Sequence, residues 1–202
     1  MTIPSGNLKK TKLNSDTCML LKSFEGYEFL LAPFPVQVVL SGEENSKADV
    51  KKIEEILKND KSITNVAMVH CETSTGVIHP VAEVGKLVKE HAPGVSFFVD
   101  AMSSFGAVPL NLDLANVDFM VSSANKCIEG VPGFSFVIGH IDSLKKCKGW
   151  ARSLSLDIVD QYEGLEKSGQ FRFTPATHAM LAFRYALSEF KAEGGVDGRA
   201  NR

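Results

Sequence analysis

Val95-Ser96-Phe97-Phe98-Val99-Asp100-Ala101-Met102-Ser103-Ser104-Phe105-Gly106 is the stretch on which the fold turns. Its first five residues are aromatic or β-branched apart from one serine, too few for a helix, and read as a strand covered on both faces. Asp100 ends the run, and the Ser/Gly-rich residues beyond it mark a loop. Working outward, residues 64–70 (TNVAMVH), 117–121 (VDFMV) and 134–138 (FSFVI) repeat the pattern. Val84, Leu87 and Val88 share one face of a helix expected over Val81–His91, between the strands at residues 64–70 and 95–99. Val50, Ile53, Ile56 and Leu57 mark an earlier amphipathic helix, and Ala179, Phe183, Ala186, Leu187 and Phe190 a long one near the C-terminus. Residues 27–31 and 36–40 read as two further short strands divided by Ala32-Pro33-Phe34-Pro35. Residues 1–25, rich in Lys, Ser, Asn and Gly, read as a poorly packed arm. Strands alternating with helices predict an α/β three-layer sandwich with a mostly parallel sheet.

Composition narrows the function classes. A chain of 202 residues with 44% hydrophobic and 23% charged residues is an ordinary globular protein, large enough for a sizeable core. Its 22 Lys+Arg against 24 Asp+Glu leave a net charge of −2, without the basic footprint of a nucleic-acid or anionic-membrane binder. Cys18, Cys71, Cys127 and Cys147 include no Cys-x-x-Cys pair, so neither a zinc site nor a disulfide framework is expected, and a reducing compartment is the default. The apolar runs fall far below the roughly 20 residues of a membrane span, and the first ten residues lack the apolar core of a secretory signal. A cytoplasmic chain is expected; organellar targeting stays open if the N-terminus is incomplete.

In open α/β sheets ligands bind beyond the carboxyl ends of the strands. Three such places carry polar chemistry: His70-Cys71-Glu72-Thr73-Ser74-Thr75-Gly76, then Asp100 to Gly106, then Ser122-Ser123-Ala124-Asn125-Lys126-Cys127. Gly-x-Gly-x-x-Gly, Gly-Lys-Ser/Thr and His-Glu-x-x-His are all missing, which removes the main support for dehydrogenase, P-loop and zincin readings. An acid at one strand end and a lysine after a neighbouring strand suit pyridoxal phosphate, which needs a covalent lysine and a carboxylate beside its ring nitrogen. Taken singly, Asp100 also reads as a cap and Lys126 as a solvated side chain. Cys127 with His70 or His178 forms a possible nucleophile pair, set against a buried structural thiol. Glu72 is an acid/base or a hydrogen-bond anchor; Ser74, Thr75 and Ser103 are turn-closing hydroxyls.

The wording of these segments goes further. Together with Ile128-Glu129-Gly130-Val131-Pro132-Gly133-Phe134, Ala151-Arg152-Ser153-Leu154-Ser155-Leu156-Asp157 and Gln170-Phe171-Arg172-Phe173-Thr174-Pro175, they resemble the 2-aminoethylphosphonate:pyruvate aminotransferases. That family belongs to the class V aminotransferases of fold-type I, and the resemblance runs over about residues 42–195. It implies a partial large domain of a pyridoxal-phosphate transferase over residues 26–192, with residues 193–202 leading toward a C-terminal small domain. It implies an enzyme moving the amino group of 2-aminoethylphosphonate to pyruvate in phosphonate degradation, working as a homodimer with pyridoxal 5′-phosphate as cofactor. Lys126 would hold the cofactor covalently and, once displaced, act as the catalytic base, a task such sites support by partial burial. Asp100 would pair with the ring nitrogen, Met102 would pack on the ring, Thr73 would reach the ring oxygen and Asn125 would help to seat the cofactor. Thr174 would reach the cofactor phosphate of a neighbouring subunit. Arg172 would face the phosphonate or carboxylate of the substrate, or pair with a local acid.

The departures bear on the same expectations. The family carries a Gly-Ser-Gly-Thr-like turn at a helix N-terminus for the cofactor phosphate and a small domain with a substrate-anchoring arginine; neither is found here, so the chain reads as truncated at both ends. Two alternatives therefore stand beside the transaminase: a catalytically incompetent fragment of it, and a related class V enzyme such as an alanine–glyoxylate aminotransferase.

Overall fold

A computed structural model describes residues 17–21, 36–41 and 45–202. The expected strand at residues 27–31 lies outside the described residues. Six strands, β1 (Thr17–Leu21), β2 (Val36–Ser41), β3 (Asn65–Val69), β4 (Ser96–Asp100), β5 (Phe119–Ser123) and β6 (Ser135–Gly139), form one sheet in the order β2-β1-β3-β4-β5-β6. The centre is parallel: β3 pairs with β4 and β4 with β5 in the same direction, while β1 and β6 run against their neighbours. Four of the six strands thus share one direction. Within the segment read as an arm, Thr17–Leu21 is a strand, inserted between β2 and β3.

Among the described residues there are also six helices: α1 (Val50–Asn59), α2 (Val81–His91), α3 (Ile141–Lys146), α4 (Ile158–Ser168), α5 (Thr177–Ala192) and α6 (Gly195–Ala200). The Asp49 carboxylate caps α1, accepting from the amides of Lys51 and Lys52. Ile53 and Leu57 then fall on the sheet-facing stripe and are fully buried. On α2, Val81, Val84 and Val88 complete the same layer over Val66, Met68, Phe97, Val99 and Met120. Close approach is enforced at Gly85, where a Cβ would stand 1.6 Å from the Ala115 carbonyl oxygen.

The opposite face is looser. The alternate strand residues Ala67, Val69, Phe98, Asp100, Phe119, Val121 and Val137 line a cavity of about 620 Å3, roofed by Leu144 of α3, Val159 of α4 and the segment between them. The three-layer arrangement is therefore present, with one outer layer only partly closed.

Strand β5 begins two residues later than the apolar pattern predicts. Asp118, inside the expected strand, serves as a brace instead: its carboxylate accepts from the Phe97 amide at 2.8 Å and from the Ser143 hydroxyl at 2.7 Å. Its backbone still bonds across the sheet, the amide donating to the Phe97 carbonyl at 2.9 Å and the carbonyl accepting from the His140 amide at 3.0 Å.

Candidate active site

The parallel register sets Asp100 at the carboxyl end of the central strand, flanked by Val69 of β3 and Val121 of β5. Chain continuity alone would let the three loops beyond these strands diverge, but side-chain bonds stitch them together. The Ser103 hydroxyl donates to the Cys71 carbonyl at 2.5 Å, and the Cys127 thiol donates to the Ser103 carbonyl at 3.3 Å. His70 Nδ1 lies 2.9 Å from the Ser104 hydroxyl, and the Ser122 hydroxyl donates to the Ala101 carbonyl. Ser104 and Ser122 are fully buried, so each of these bonds replaces lost solvation.

The loop after β3 is a small hairpin. Cys71 bridges Ile78, and the Glu72 amide donates to the Val77 carbonyl at 2.9 Å. Beneath it, His79 accepts the Ala48 amide on Nδ1 at 3.1 Å, which puts its ring proton on Nε2, 3.4 Å from the Glu72 carboxylate. Both side chains are buried, so Glu72 acts as the anchor rather than an exposed acid. Burial, reinforced by the nearby His79, holds His70 below the ordinary histidine value.

Each sequence-predicted residue can now be placed. Asp100 is half-buried; its Oδ1 accepts the Met102 amide at 2.8 Å and its Oδ2 accepts nothing from the described residues. Lys126 and Asn125 are exposed on the turn after β5, Thr73 is exposed at the hairpin, and Met102 is half-buried. The partial burial expected around Lys126 is not found: the turn packs inward through Ile128, leaving its two preceding polar residues outward. Burial pushes the Cys127 thiol above its usual range, and the adjacent Cys71 adds to this, so it stays a protonated donor. His70 is engaged by Ser104 and His178 is exposed on α5, so no Cys127–His pair forms.

Thr174 is exposed and makes no bond to these loops. Of the two readings of Arg172, the structure shows the local one. Its guanidinium donates to the carbonyls of Leu154 (3.0 Å) and Asp157 (3.3 Å) and lies 3.3 Å from the Asp160 carboxylate. The 620 Å3 cavity has Asp100 on its wall but none of Thr73, Met102, Asn125 or Lys126, so it is not by itself the place these residues define. Nothing in residue type singles out Ser104, Ser122 or Arg199, because their roles lie in bonds to partners remote in sequence: the His70 ring for Ser104, the Ala101 carbonyl for Ser122 and the Cys127 carbonyl for Arg199.

The donor set fits pyridoxal phosphate: a carboxylate with one oxygen free, a primary amine without a partner among the described residues and a hydroxyl stand on three loops at the carboxyl ends of adjacent strands. The class of protein follows from this edge and from comparison. Residues 35–201 match the model of the aminotransferase class-V family, and the chain belongs to that family. It is 52% identical over 166 residues to proteins named 2-aminoethylphosphonate–pyruvate transaminase from Bacillus cereus (strain ATCC 10987 / NRS 248) and Bacillus thuringiensis (strain Al Hakam). The matched region is 82% of this chain but 45% of either relative, so the chain spans under half the length of those relatives. Among solved structures, pyridoxamine-pyruvate aminotransferase from Mesorhizobium loti superposes with a TM-score of 0.70 at 26% identity, over 78% of this chain and 40% of that one. Alanine–glyoxylate aminotransferase from Nostoc sp. gives 0.67 at 25% identity, over 80% and 43%.

Proposed function

We propose that this chain carries the lysine-bearing part of a pyridoxal-phosphate-dependent transaminase that transfers the amino group of 2-aminoethylphosphonate to pyruvate, leaving phosphonoacetaldehyde and forming alanine. The observation that carries the reading is the convergence of Asp100, Thr73 and Lys126 on one edge of a parallel sheet, with side-chain bonds tying their loops together. The choice of substrates rests on the names of the relatives that are 52% identical.

When bound, the cofactor supplies an electron sink for the charge left when the amino-bearing carbon loses a proton. Asp100 is assigned to the ring nitrogen: a carboxylate with one oxygen fixed by the Met102 amide presents the other in a set direction. Lys126 is assigned first to covalent attachment and then to carrying a proton from the amino-bearing carbon of the substrate. Thr73 is assigned to the ring oxygen, Met102 to the ring face and Asn125 to seating the cofactor. Thr174, exposed and without a bond to these loops, is assigned to a neighbouring subunit of a homodimer. For Arg172, bonded to its own surroundings, we assign support of the residue 154–160 segment rather than substrate contact. No described helix is long and apolar enough to cross a membrane, and we place the protein in the cytosol.

The experiment is to add pyridoxal phosphate to the chain and follow its visible absorption. A band that appears with the native chain and disappears in Lys126→Ala supports the reading; a band that survives the substitution removes Lys126 from its role. Asp100→Asn should keep the band and lose most of the transamination rate. Equal turnover of unrelated amino donors would remove the phosphonate assignment while leaving the transaminase.

A further inference from the structure

Helix α6 returns from the end of α5 through Gly194-Gly195 and places one side chain against the turn that carries Lys126. Arg199 is 8% exposed, although it is a charged residue close to the end of the described chain. Its Nη1 donates to the Cys127 carbonyl at 2.5 Å, and the same nitrogen lies 3.2 Å from the Glu129 carboxylate. Its Nε donates to Glu193 at 2.7 Å, its Nη2 pairs with the same carboxylate, and the guanidinium lies 5.4 Å from the centre of the Phe190 ring. Arg202 pairs with Glu129 and stands 3.1 Å from Glu193. Two arginines therefore balance two carboxylates, which is what permits Arg199 to be buried.

The partners matter more than the pairing. Cys127 and Glu129 belong to the turn itself, which closes by donation of the Glu129 amide to the Lys126 carbonyl at 2.8 Å. Glu129 holds φ at +63°, a left-handed conformation that costs a residue with a Cβ about 1–2 kcal/mol. Nothing in Glu129 itself favours that conformation, so its contacts must hold it: the backbone bonds of its own amide to Lys126 and of the Gly130 amide to the Ala124 carbonyl at 2.9 Å, and the pairing of its carboxylate with Arg199 and Arg202. The Arg202 hydrogen bond, opposed by burial and aided by the charges of Arg199 and Arg202, keeps the Glu129 carboxyl below its usual range and hence charged. A guanidinium suits the task because its planar fork reaches a carbonyl and two carboxylates together, which a lysine ammonium on its flexible stem does not.

We propose that Arg199 is a positioning residue for Lys126, fixing the turn through the Cys127 carbonyl and the Glu129 carboxylate, an assignment that rests on the role of Lys126 given above. A residue that only anchored α6 would leave the turn unchanged when removed. The test uses the full chain with Arg199→Ala and Arg199→Lys, with Arg202→Ala as the exposed comparison. Without cofactor, amide exchange of Glu129 and Gly130 and site-resolved labelling of the Cys127 thiol by a disulfide reagent report on the turn. Both should accelerate about tenfold in Arg199→Ala, the signature of local opening made easier by some 1.4 kcal/mol, with a smaller acceleration in Arg202→Ala. With pyridoxal phosphate added, the pH midpoint of the visible band should shift in Arg199→Ala.

If Arg199→Ala does not fold, Arg199→Lys decides the matter, since it keeps the charge and loses the fork. Native exchange at Glu129 and Gly130 in the folded variant, with protection lost only in α6, would overturn the proposal. A visible band that survives Lys126→Ala would overturn the role of Lys126 itself, and the cofactor-free exchange would still show whether Arg199 holds the turn.

Discussion

The two faces of the sheet are built from alternate residues of the same strands, yet they are packed to different standards. Val66, Phe97, Val99 and Met120 face α1 and α2 and are wholly buried. Their alternating neighbours Ala67, Val69, Phe98 and Val121 face the cavity and are half-buried, and at its mouth Trp150 and Leu156 are 73% and 75% exposed. The difference teaches where stability and chemistry separate. The α1/α2 layer holds the strands in register, whereas Asp100 points to the open side, where a carboxylate keeps one oxygen available.

The largest expected effect tests that contrast within one strand. Phe97→Ala should cost about 3–5 kcal/mol, the usual range for emptying a closed aromatic site. Phe98→Ala, the next residue, should cost under half as much, because its ring already borders a cavity and mainly loses its stacking on Phe119 at 4.9 Å. Urea denaturation of the two variants reads both. Equal losses would erase the distinction between the faces.

A glycine on each side sharpens the comparison. Alanine is favoured over glycine inside a helix by about 1 kcal/mol. At Gly164 of α4 a Cβ would meet only the Arg172 side chain at 3.4 Å, so Gly164→Ala should raise stability by about 0.5–1 kcal/mol. At Gly85 of α2 the contact with the Ala115 carbonyl forces the helix outward, and a strain of about 1–3 kcal/mol exceeds the propensity gain. The same substitution should therefore shift the thermal midpoint in opposite directions on the two faces.

Most of the packed face was legible in the sequence, and little of the other was. The Val81–His91 helix follows from apolar spacing at its own ends, and the strands around Phe97 and Val66 follow from runs of β-branched and aromatic residues. Helices α3, α4 and α6 were not expected, because Ile141–Lys146 and Gly195–Ala200 are too short to show a period and α4 buries only Val159. Candidates for the site can be named from the sequence where chemistry sits in the residue type, as at Asp100 and Lys126. The site was not legible where a side chain bonds a distant carbonyl, as Ser103 does to Cys71 and Arg199 to Cys127.

The packed face also carries a titrating group. His70 lies at the end of β3, buried against Ser104, with its folded pKa lowered first by burial and then by the neighbouring His79. A histidine held below its unfolded value of 6.5 contributes stability above that pH and loses it as the pH falls through the lowered folded value. Acidification from pH 8 toward pH 5 should reduce the urea midpoint of the native chain more than that of His70→Asn. Parallel losses in the two proteins would assign the acid sensitivity to other groups.

The smallest effect belongs to the cavity mouth. Leu156 is an apolar side chain left 75% exposed, so Leu156→Ser removes little burial and creates no cavity. Its cost should stay within about 0.5 kcal/mol, the usual range for exposed substitutions. The measurement is informative because the result could differ. If Leu156→Ser lost as much stability as Phe97→Ala, Leu156 would have to be covered in solution, and the open face would be as well packed as its opposite. A thermal midpoint that follows protein concentration in the native chain, and not in the variant, would identify association between chains as the cause.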